Sequence, residues 1–158
     1  MYQSMVDVLI YLYENYMDGE GQPPTDQEVL EDELSQAGFS NSEIHRALRW
    51  LDDLAAEVDT PAEHPLSRGA MRIFTDAECT KLDPDVRGLL LSLEQSGILD
   101  PVSRELVIDR VLAMDHASVS VEEAKWVALL VLMNQPGREA AFTLMEDLVY
   151  NEDLTLVH

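Results

Sequence analysis

Six times along this chain the sequence writes the start of a helix. Thr25 with Glu28, Ser40 with Glu43, Thr75 with Glu78 and Ser120 with Glu123 each set a hydroxyl three residues ahead of a glutamate. That spacing is a capping box, in which two side chains satisfy backbone N–H groups left free at a helix start. Asp83–Pro84 and Asp100–Pro101 use a second device: an Asp N-cap followed by Pro at the first helical position, where its missing N–H costs nothing. Behind most of these starts apolar residues recur at helical spacing. The expected fold class is therefore all-α, or mainly α, with any β structure minor.

The first helix is expected over residues 4 to 18, with Met5, Val8, Leu9, Leu12 and Tyr16 on one stripe and Val6, Ile10, Tyr13 and Met17 on the next. A helix this widely apolar is either buried inside its own fold or set against another chain, in which case the protein forms a homodimer through it. The turn DGEGQPP leads to a second helix that Gly38 closes as a left-handed cap. In the third helix Ile44, Ala47, Leu48, Leu51, Leu54, Ala55 and Val58 form the core stripe. Residues 1–58 thus read as an N-terminal helix-turn-helix-like module of three helices. Residues 59–74 read as a loop, rich in Pro and Gly at its start, carrying MRIF, the one strand-like segment. A strand needs a partner. The segment after the third helix, giving a small wing, and the C-terminal DLTLVH are both candidates.

Residues 75–158 read as a C-terminal helical bundle. A short capped helix holds Cys79, and Val86, Leu89, Leu90 and Leu93 form a stripe that Gly97 terminates. In the helix from 101 to 114 the expected core is Val107, Ile108, Val111, Leu112 and Met114, with Arg104, Glu105, Asp109 and Arg110 on the opposite side or its margins. Trp126 to Met133 is apolar all round, as a central helix would be. Ala141, Leu144, Met145 and Leu148 mark the last helix. LSQAGF at 34–39 and LEQSGI at 93–98 echo each other, a pattern that glycine-capped amphipathic helices produce without duplication.

Charge restricts the partners. With 31 acidic and 10 basic residues the net charge is −21. Residues 1–45 hold ten Asp or Glu and no Lys or Arg. Such a field opposes phosphate backbones and anionic membranes. The start MYQSMVDVLI lacks the basic residues of a signal peptide. The longest apolar run, WVALLVLM, is eight residues, against the roughly 20 that cross a bilayer. A cytoplasmic protein without membrane association is expected. Cys79 is the single cysteine, and the four histidines are scattered without HxxxH spacing, so neither a disulfide nor a metal site is expected.

The strings HRALRWLDDLA, AMRIFTDAE, LDPDVRGLLLSLEQSGILDPVSRELVIDRVLAMD and KWVALLVLMNQPGREAAF together resemble the bacterial Smg family over nearly the whole chain. The resemblance implies a small acidic cytoplasmic protein often encoded near DNA-processing genes. It supplies no activity, cofactor or catalytic position to carry over.

A DNA-reading helix presents cations and amides to bases and phosphates. The third helix offers Arg46 and Arg49 among Glu43, Asp52, Asp53 and Glu57, so direct nucleic-acid binding is not expected. Trp50 beside Arg46 would make an interface anchor if exposed. The favoured placement is in the core, with Arg46 over its ring. Arg46, Arg49 and Trp50 are the candidate partner-docking residues. Cys79 reads as a small buried side chain rather than a redox thiol. Neighbouring acids such as Asp52 and Asp53 do not face each other on a helix and read as a solvated face. Arg104, Asp109 and Arg110 read either as a salt-bridged surface patch that guides a partner or, equally well, as ordinary helix-surface ion pairs. With no phosphate loop, serine nucleophile motif or EF-hand spacing, no catalytic residue and no cofactor are assigned. The expected role is a non-catalytic acidic adaptor or regulator docking on another protein through helical surfaces. The alternative is a winged-helix-like factor of DNA metabolism that acts within a complex. The acidity itself has two explanations, adaptation to concentrated salt or a functional surface.

Overall fold

Capping residues read from the sequence hold the helix starts of the computed structural model, which describes residues 5–17, 27–59, 75–114 and 119–150. Its helices are α1 (Met5–Leu12), which continues as a π-helical turn over Tyr13–Met17, α2 (Gln27–Gln36), α3 (Asn41–Asp59) and α4 (Asp76–Lys81). They are followed by α5 (Pro84–Gln95), α6 (Pro101–Leu112), α7 (Val121–Asn134) and α8 (Glu139–Tyr150). All described regular structure is helical, so the all-α expectation holds at that level. MRIF, DLTLVH and the Thr25 cap lie outside the described residues.

The local chemistry is that of the sequence reading. Asp83 accepts from Val86 N at 3.0 Å and Asp100 from Ser103 N at 2.7 Å, each ahead of its proline. Thr75 with Glu78 and Ser120 with Glu123 form complete capping boxes. Gly38, at φ 107°, closes α2 in a Schellman arrangement, Phe39 N reaching Leu34 O at 3.2 Å and Gly38 N reaching Ser35 O at 3.0 Å. Gly97 ends α5 in the same left-handed region, at φ 86°. The widening at Tyr13 was not expected. There the Asn15 side chain donates to the Tyr11 carbonyl at 2.8 Å, an insertion into the helical ladder.

The chain divides into two compact units, Met1–Asp53 and Leu54–His158. In the first, Met5, Val6, Val8, Leu9, Leu12 and Tyr13 of α1 are buried together with Leu34, Ile44, Ala47 and Trp50. Within the single chain these α1 side chains are already covered. Tyr11 meets Phe39 edge-on at 5.5 Å, setting the α2–α3 turn against α1. On α3 the buried line runs through Ile44, Ala47, Trp50 and Leu54, while Leu48, Leu51 and Val58 are only half-buried and Ala55 is exposed.

In the second unit α7 packs against α5, α6 and α8, and is buried from Trp126 through Leu132, as its all-round apolar sequence requires. Three expectations need correction there. Leu112 and Leu144 are exposed. Arg104 and Arg110, expected on the opposite side of their helix or at its margins, are 6% and 5% exposed. The cause is that α6 is covered on more than one side, so its charged positions fall between helices and are paired there. Among the described residues no helix is long and apolar enough to cross a membrane.

Candidate docking surface on α2 and α3

Alpha2 has the sequence QEVLEDELSQ, and Leu34 is its one buried side chain among ten residues. With so little apolar area committed to the core, most of the helix surface faces water. Glu28, Asp32, Glu33 and Gln36 are exposed, and so is Val29, at 45%. The Schellman turn at Gly38 then redirects the chain into α3, where Ser40 Oγ accepts from Glu43 N at 3.4 Å. This turn brings His45 Nε2 of α3 within 3.2 Å of Glu31 Oε1 of α2, which ties the two helices at their solvent side.

Arg46 lies one turn into α3, half exposed, and pairs with Glu43 at 3.0 Å. Arg49 is exposed on the same helix. Trp50 is not on that surface: at 3% exposure its ring belongs to the core, the favoured placement. Arg46 and Arg49 are therefore exposed on α3, and Trp50 is buried. Asp52 and Asp53 continue the exposed side, as a solvated face. The outcome is a helical surface with two guanidinium groups set among carboxylates.

Elsewhere the charged groups serve the fold. Arg104 pairs with Glu94 of α5 and with Glu105, both at 2.8 Å. Arg110 pairs with Glu57 of α3 at 3.1 Å and Asp109 at 3.0 Å. These internal pairs are what sequence reading took for a surface patch. A signal was present in the placement of Arg104 and Arg110 beside the core positions Val107, Ile108 and Val111 along a helix that follows a short turn. Ser103 Oγ donates to Gln135 at 2.6 Å, joining α6 to the end of α7. Arg138 reaches the Gly97 and Ile98 carbonyls and stands 3.7 Å from Asp100. Burial works against the Asp100 charge, but hydrogen bonds from Ser103 and the Arg138 guanidinium outweigh it and hold this carboxyl below the usual range. Lys81 donates to the carbonyls of Leu112 and Met114, capping the end of α6 with a cation. Cys79 is half-buried, free of any disulfide. Among the described residues no group of three or more His, Cys, Asp or Glu is placed to hold a metal ion.

The family described as Protein of unknown function (DUF494) matches residues 5–158. A Protein Smg homolog of Nitrosococcus oceani is 47% identical over 159 residues, covering 100% of both chains. That of Alkalilimnicola ehrlichii is 48% identical over 158 residues, again with 100% of both chains covered. The Vibrio cholerae homolog is 41% identical over 157 residues, spanning 98% of this chain and 99% of its own. No solved structure matches the chain. Full-length similarity at this level, together with the family match over all but the first residues, makes this chain a member of the Smg family.

Proposed function

We propose that the protein is a non-catalytic adaptor or regulator of the cytoplasm that docks on another protein through helical surfaces, using the α2–α3 face. In this reading the N-terminal three helices act as a helix-turn-helix-like module, and residues 75–158 form a helical bundle. The single observation behind the proposal is that α2 commits only Leu34 to the core and exposes acids along its length, beside Arg46 and Arg49. A folded helix retained with so little buried area is better accounted for by a surface it presents than by the core it fills.

The test is affinity capture from native cytoplasm with the intact chain and with an Arg46→Glu/Arg49→Glu variant. Recovery of the same protein by the intact chain, lost with the variant, is expected. Equal recovery by both chains, or none above background, overturns the proposal.

A second reading, a winged-helix-like factor working within a DNA-processing complex, draws support from the short α2–Gly38–α3 turn. The net charge of −21 requires that a partner supply the cations. Gel shift at low salt with and without the captured partner separates the two: retardation of duplex DNA that needs this chain as well as the partner would favour the second reading.

A further inference from the structure

Within the second unit, Arg110 of α6 lies where the last turn of α3 arrives. Its Nη2 donates to Glu57 Oε1 at 3.1 Å and to Asp109 Oδ2 at 3.0 Å, and its Nε donates to the same Asp109 oxygen at 3.2 Å. Two carboxyl groups thus share one guanidinium. The other Glu57 oxygen, Oε2, is sealed from solvent and receives no hydrogen bond. An ionised oxygen in that position has given up its water without replacement, an expensive arrangement. Both carboxyl groups accept from the same Arg110 nitrogen, Nη2, which sets them side by side. Carboxylates only accept, so a bond between them exists only when one carries a proton.

We propose that Glu57 keeps its proton where it shares the Arg110 guanidinium with Asp109 and that this proton fastens the last turn of α3 to α6, a clasp that loosens when the proton is lost. With the proton in place the three groups sum to zero charge: one carboxylic acid, one carboxylate and one guanidinium. Its loss to solvent leaves two carboxylates facing a single cation. Burial pushes the Glu57 carboxyl up to about 7, and the hydrogen bond to Asp109 and the charge of Asp109 act the same way against the pull of Arg110. From α6 the groups facing Glu57 are Asp109 and Arg110, and on its own helix Asp53 stands one turn back, exposed. Because the folded value lies above the ordinary 4.5, the stabilisation is complete below 4.5 and fades as pH rises through about 7.

Two measurements on the full chain test this. Carboxyl NMR of chain labelled with 13C at Glu and Asp should give a Glu57 midpoint of about 7. In an Asp109→Asn variant the midpoint should fall toward the ordinary range. A wild-type midpoint in that ordinary range overturns the proposal whether or not the variant folds. The second measurement compares the Tm of Glu57→Gln, which mimics the protonated form, with that of wild type at about pH 5.5 and about pH 8.5. The variant should gain on wild type at the higher pH only. An identical difference at the two pH values would show that the proton does not fasten the helices, even if Glu57 titrates high.

Discussion

Arg46 and Arg104 each sit on a helix beside a glutamate, 3.0 Å from Glu43 in one case and 2.8 Å from Glu94 in the other, and the geometry hardly separates them. Water does. The Arg46 side chain is 50% exposed and that of Arg104 is 7% exposed. An exposed pair gives up little when it opens, since solvent takes over both charges. A buried one cannot open without stranding a charge. The N-terminal pair therefore opens at little cost, whereas the C-terminal one is internal glue between α5 and α6.

The strongest way to break this contrast is Arg104→Met, which keeps much of the side-chain bulk and strands Glu94 and Glu105. It should lower stability by about 3–5 kcal/mol in denaturant titration. A loss below about 1 kcal/mol would place Arg104 with ordinary surface pairs. Asp100 provides an intermediate case, half-buried and close to Arg138. Asp100→Ala should cost about 1 kcal/mol near neutrality through loss of the α6 cap. Because the folded carboxyl titrates below its ordinary 3.8, that stabilisation is present above 3.8 and lost as pH falls beneath it. Wild type and variant should accordingly converge in acid, and a gap that persists there would remove the electrostatic part of the argument.

At the mild end, Arg46→Ala should change stability by less than about 0.5 kcal/mol. A larger loss would make Arg46 structural and take it off the docking face. Salt tests the surface charge as a whole. If the acidity is functional, Tm should rise only shallowly from low to molar NaCl. A steep climb would assign it to salt adaptation, through screening of the self-repulsion of a chain at −21.

The same contrast shows what a sequence can carry. Helix starts were legible because a cap is a local contract: Asp83, Asp100, Thr75 and Ser120 need only the next three residues to do their work. The exposure of Arg46 and Arg49 and the burial of Trp50 followed from one amphipathic stripe. Arg104 and Arg110 were misplaced because periodicity identifies one buried face, and α6 is covered on more than one. Their partners Glu94 and Glu57 lie ten and 53 residues away, beyond any local pattern. The π-helical turn after Leu12 and the Lys81 cap on α6 depend on register and distant packing, which leave no mark in the neighbouring letters. Of the docking face, the electrostatic character was readable. The contact between Glu31 and His45 was not.

The chain has two lysines, Lys81 and Lys125. Lys81 is engaged by the end of α6, and Lys125 is 20% exposed, 3.5 Å from Glu122. Reagents that attack primary amines, whether activated-ester cross-linkers, biotin tags or coupling resins, therefore meet few side-chain targets on this protein. Acetylation of Lys81 would also cancel the cation that holds the Leu112 carbonyl, so a modification that looks superficial would act on the end of a helix.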